Sequence, residues 1–176
     1  MFNKNIILNT FLILFLLFAI SGTQTTLWPV LSTTLQPQLW LAITVYIVLY
    51  RSKYVCYMVL FLISLVIKGM TLFPLSYILL SVFIVYLCLQ QLKHKTFWKG
   101  PSYFLLCTFI GTLIFGLSLK LIELTSSNSL SFNLVSWVIS AALNIPAGLL
   151  VYYIIRKIDE LTSIELPAET GYNQYG

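Results

Sequence analysis

The chain has 176 residues, of which 59% are hydrophobic and only 9% charged, with a net charge of +5. A soluble domain carries roughly 25% charged residues, so this composition excludes one and calls for lipid contact along most of the chain. The basic excess is scattered, with no basic face interleaved with aromatics, which excludes a nucleic-acid footprint. Cys56, Cys88 and Cys107 all fall in apolar runs at no metal-ligand spacing and read as small hydrophobes.

Helix 1 is expected over 6–21, an apolar run broken by Asn9 and Thr10. Ala19-Ile20-Ser21 resembles a cleavage site, so a secretory signal is the alternative to a retained helix. Gly22 to Gln38 reads as an uncharged loop. Helix 2 is expected from Pro37 to Tyr50, with Pro37 acceptable in a first turn, and Arg51-Ser52-Lys53 ends it. Helix 3 follows over 54–67. Each has about 14 residues, short for a bilayer core of roughly 30 Å. Fusing them would leave two charges at mid-membrane. Helix 4 is expected over 75–89, then a basic loop from Gln90 to Pro101. Helix 5 is expected over 102–119, then a Ser/Asn-rich loop to Asn133. Helix 6 spans 134–155, with Pro146 inside it as a kink site. The residues from 1 to 162 thus form one membrane domain, and 163–176 read as a disordered cytoplasmic tail.

With the N-terminus inside, eight basic residues fall in inner segments: Lys4, Arg51, Lys53, Lys93, Lys95, Lys99, Arg156 and Lys157. Two, Lys68 and Lys120, fall outside. This asymmetry places both termini in the cytoplasm. The fold class expected is an all-α polytopic membrane protein of about six transmembrane helices. Trp28, Trp40, Trp98 and Trp137 fall near the expected span ends, where interfacial rings prefer to sit.

Helix 6 carries Ser136, Ser140, Asn144, Gly148 and Tyr152 at four-residue spacing, which puts them on one face. Helix 5 has a matching stripe of Thr108, Thr112 and Gly116. Small and polar faces let helices approach closely and bond across. Two readings follow: packing of helices 5 and 6 on each other, or docking of a second membrane protein. Lys68 reads as a snorkelling side chain at the outer end of helix 3, with contact to a partner or lipid headgroup as the functional reading. Arg51, Arg156 and Asp159 read as a membrane-surface boundary or as partner or lipid contacts. Lys120 and Glu123, three apart, read as a local ion pair.

Catalytic chemistry finds little support. None of the five acidic residues sits in mid-span, and the single histidine, His94, lies in a lysine-rich loop. No phosphate loop or metal-binding His/Glu pair is present. The expectation is a non-enzyme with no cofactor and no metal.

Gln36-Pro37-Gln38-Leu39-Trp40, running into Tyr46-Ile47-Val48-Leu49-Tyr50-Arg51, resembles the second helix of rod shape-determining proteins of the MreD family. Ser140-Ala141-Ala142-Leu143-Asn144-Ile145-Pro146 and Ile154-Ile155-Arg156-Lys157-Ile158-Asp159-Glu160-Leu161-Thr162 resemble that family's last helix and its basic-then-acidic end. The likeness covers about 36–162. The chain departs from it at Lys68-Gly69, where many members carry an acidic residue. The resemblance implies a bacterial inner-membrane, multi-pass component of the cell-elongation and peptidoglycan-synthesis machinery. It implies work as a scaffold with an MreC-like protein, the actin-like filament and the wall-synthesis enzymes, without catalysis of its own. The alternative is the substrate-binding membrane subunit of an energy-coupling vitamin transporter. Helix 1 lacks the small-xxx-small pair expected there, and the sequence shows no convergent polar cavity.

Overall fold

A computed structural model of the chain describes residues 4–26, 37–95, 100–126 and 134–164. All regular structure among them is helical: α1 (Lys4–Thr26), α2 (Leu39–Tyr50), α3 (Lys53–Met70), α4 (Leu75–Lys95), α5 (Pro101–Ser126) and α6 (Leu134–Leu161). All of these but α2 are long and apolar enough to cross a membrane. With the short α2, they make an all-α polytopic membrane protein of about six helices, as the composition predicts.

The helices outrun their predicted ends. Gly22–Thr26, Lys68–Met70, Gln90–Lys95, Lys120–Ser126 and Arg156–Leu161 are helical, although the sequence suggests loops or boundaries there. In an apolar medium a helix is the cheapest way to satisfy backbone N–H and C=O groups, so polar side chains do not end it. Helix 3 therefore has 18 residues and not 14. Pro146 sits inside α6 without ending it. Trp28 and Trp98, much of the expected loops, and the tail from 165 onward fall outside the described residues.

The departure that organises the bundle is α2. It has 12 residues, and Trp40 through Tyr50 are all buried. At 1.5 Å per residue it is about 18 Å long, well short of a membrane core. Its sequence is apolar on every side, the signature of a helix with no solvent face. All five other helices pack against it. The lipid-facing surface is left to the others, where Phe11, Phe15 and Phe18 of α1, Tyr54 and Phe61 of α3, and Leu150 and Tyr153 of α6 are exposed. Trp40 is accordingly no interfacial ring: it is buried, with its ring edge-on to Phe115 at 4.8 Å.

Candidate functional site

A helix sunk within a bundle has two ends that lipid cannot satisfy. The first N–H and last C=O groups of any helix lack intrahelical partners, and an unsatisfied polar group in hydrocarbon is costly. Here neighbouring helices supply polar side chains to both ends of α2.

At the basic end, Arg51 closes α2. Its guanidinium donates to Asn9 Oδ1 of α1 at 2.9 Å and makes an ion pair with the Asp159 carboxylate of α6. Asp159 also accepts from Asn9 Nδ2 at 2.7 Å and from the Tyr46 hydroxyl at 2.6 Å. Asn9 Nδ2 donates further to Thr162 Oγ1 at 2.8 Å. Asp159 is 2% exposed and Asn9 is 1%. A carboxylate so buried is tolerated only when paired and fully bonded, and three donors from two other helices meet that condition. The Tyr46 ring continues the site inward, packing with Tyr50, Phe104 and Tyr152 at centroid separations of 4.7 to 6.0 Å.

At the opposite end the contacts are neutral. The Gln38 backbone N–H donates to Asn144 Oδ1 at 2.5 Å. Asn144 Nδ2 donates to Thr112 Oγ1 at 2.9 Å. Gln24 Nε2 of α1 donates to the Pro37 carbonyl at 2.7 Å. The spacing is consistent along three helices. Asn9 to Gln24 and Asn144 to Asp159 are each fifteen positions, about 22 Å of helix. Gln38 to Arg51 is thirteen, about 20 Å. So α1 and α6 each carry a polar residue at both levels, and α2 fits between them.

The predicted stripes on helices 5 and 6 face each other. Gly148 is buried, and a Cβ built there meets Thr108 Cγ2 at 3.4 Å and Leu105 Cδ2 at 3.6 Å. Thr108 and Thr112 are buried, with their hydroxyls bonded to the carbonyls one turn back. A Cβ on Gly116 would fall 2.1 Å from Trp137 Nε1, so the indole lies over that glycine. Ser140 is half-buried, and the Ser136 side chain lies outside the described ones. Of the two readings of these stripes, the structure realises packing within the chain. Val151, which sequence spacing puts off the stripe, is 2% exposed and belongs to the core. The buried face is wider than a four-residue repeat and includes it.

The boundary residues divide. Arg51 and Asp159, read from sequence as surface or partner contacts, bond to each other, Asp159 buried and Arg51 mostly so. Arg156 and Lys157 stay exposed and lie 3.8 and 3.2 Å from Glu160. Lys68 is exposed in the last turn of α3, where a cation complements the helix dipole. The Glu123 side chain of the expected Lys120–Glu123 pair lies outside the described ones. Sequence reasoning gave no role to Asn9, Tyr46, Gln24 or Gly111. Gly111 is buried on α5, and a Cβ there would stand 3.3 Å from Val45 of α2. The available signal was Asn9, an amide inside an apolar run, since intramembrane polar groups call for a partner. Among the described residues no group of three His, Cys, Asp or Glu stands close enough together to hold a metal ion.

No family model, curated protein or solved structure matches this chain. The site is a charged clamp and a neutral clamp that fix one helix inside a membrane bundle.

Proposed function

We propose that this protein is a scaffold of the bacterial cell-elongation complex in the inner membrane, akin to the MreD family, without catalytic chemistry of its own. One observation carries the reading. The two stretches that resemble that family, one around α2 and the other in α6, are distant in sequence but meet at both ends of α2. Gln38 bonds to Asn144, and Tyr46 and Arg51 bond to Asp159. The residues that suggest the family are thus the ones that build the core of the bundle. A core locked at two levels presents its outer helix faces in fixed relation, which is what a scaffold for an MreC-like protein, the wall-synthesis enzymes and the actin-like filament requires. On this reading both termini are cytoplasmic, and the exposed Arg156 and Lys157 lie at the inner leaflet near anionic lipid.

The test is depletion of the protein in its host, with cell width measured and an MreC-like partner sought by co-purification. Loss of rod shape together with partner recovery supports the scaffold. The transporter-subunit reading gains one point from the structure, the polar groups gathered at the neutral end of α2. Unchanged width on depletion, with vitamin binding by the purified protein, decides for it.

A further inference from the structure

The two ends of α2 differ in how completely their polar atoms are used. At the basic end, the Asp159 carboxylate and the Asn9 amide have partners on both of their polar atoms, and the Tyr46 and Thr162 hydroxyls are bonded. At the neutral end, Ser21 Oγ, Gln24 Oε1 and Gln38 Oε1 are buried and have no partner among the described residues. Ser21 is 6% exposed and Gln24 is 7%. These two are three apart on α1 and share a face. The Gln24 amide is held by its Nε2 on the Pro37 carbonyl, so its Oε1 is fixed beside the first turn of α2. Exchanging the amide's two ends would put oxygen against oxygen at Pro37. The Gln38 N–H is taken by Asn144 and the Leu41 N–H by the Gln38 carbonyl, which leaves those of Leu39 and Trp40 without an intrahelical acceptor, and Gln38 makes no side-chain cap bond.

Two amide oxygens require a donor, while the helix N–H groups require an acceptor, and the Ser21 hydroxyl serves as either. An anion is repelled by the oxygens. A bare cation is repelled by the N–H groups and the positive end of the helix dipole. A neutral hydroxyl both donates and accepts. We propose that the neutral end of α2, at Ser21, Gln24 and Gln38, is a binding site for a neutral hydroxyl group, brought by water or by a small polyol. The proposal rests on neither functional reading above.

The full chain, reconstituted in lipid nanodiscs, is tested with a membrane-impermeant methanethiosulfonate on the variant Ser21→Cys, and the labelled position is read by peptide mass. Thr26→Cys, at an exposed position on α1, and Ser64→Cys, at a buried one on α3, set the two limits. Labelling requires an aqueous thiolate, so Ser21→Cys is expected to react at least about tenfold faster than Ser64→Cys. Gln24→Cys repeats the measurement from one turn away. If both react as slowly as Ser64→Cys, the site is dry and the proposal is overturned. Erythritol distinguishes the sources. Slowing at Ser21→Cys but not at Thr26→Cys identifies a polyol site, and equal rates with and without it identify water.

Discussion

The charged end of α2 and its neutral end solve one problem with different chemistry. Both tie an end of a short helix to its neighbours inside a membrane bundle, and both draw on α1 and α6. The charged end concentrates its bonds on a single carboxylate, so its members depend on one another. The neutral end distributes its bonds over separate amides and leaves acceptor capacity unused. The contrast teaches that depth alone does not set the cost of a polar group. What sets it is whether a charge remains when a partner is lost.

The largest effect is expected from breaking the charged clamp on one side. Asp159→Ala leaves the mostly buried Arg51 guanidinium without its counter-ion and should cost up to about 3–5 kcal/mol. It would be read as a lower unfolding midpoint in detergent and a lower steady-state level. Arg51→Met combined with Asp159→Leu removes both charges and should recover most of that loss. A double variant as unstable as Asp159→Ala would mean that the carboxylate acts through something other than its pairing.

Next come the glycines of the contact between α5 and α6. Gly116→Leu would drive a side chain into the Trp137 ring, and Gly148→Leu one into Thr108 and Leu105. Overpacking of this kind costs about 1–3 kcal/mol. Gly148→Ala should be close to neutral, because its Cβ meets neighbours only at ordinary contact distance. The same unfolding assay checks all three. Val151→Leu is not a mild control, since Val151 is buried, but Leu150→Val, at a lipid-exposed position, is one.

The neutral clamp should break more gently. Asn144→Leu removes the bonds to Gln38 and Thr112, and interhelical bonds in membranes are worth roughly 0.6 to 2 kcal/mol. A loss at Asn144 as large as at Asp159 would erase the contrast between the two ends. The smallest effect is expected at Lys68→Ala, within about 0.5 kcal/mol, as for exposed sites generally.

Much of the bundle was legible in the sequence because hydrophobic runs and basic loops report span number directly. The facing stripes of helices 5 and 6 were legible because glycine, threonine and asparagine at four-residue spacing stand out in apolar helices. The charged clamp was less so. Arg51 and Asp159 look like span boundaries, since a charge at the end of an apolar run is usually at the membrane surface. The clue available was helical phase. Asp159 lies seven residues beyond Tyr152, on the same face as Asn144 and Gly148, so the buried stripe already pointed at it. The central position of α2 follows from its lack of any polar face, but that same feature fits a lipid-exposed helix. Only its length argued against one.

The charged clamp also has a meaning in time. Asn9 and Asp159 are separated by 150 positions, so the clamp spans nearly the whole order of synthesis. When α2 enters the membrane, the Asn9 amide is already there but the Asp159 carboxylate lies 108 positions beyond Arg51 in the order of synthesis. Until α6 arrives, Arg51 has no counter-ion from that helix. The charged clamp is therefore closed only by the last helix made. A chain that stalls before it carries Arg51 at the end of its most apolar element without that counter-ion.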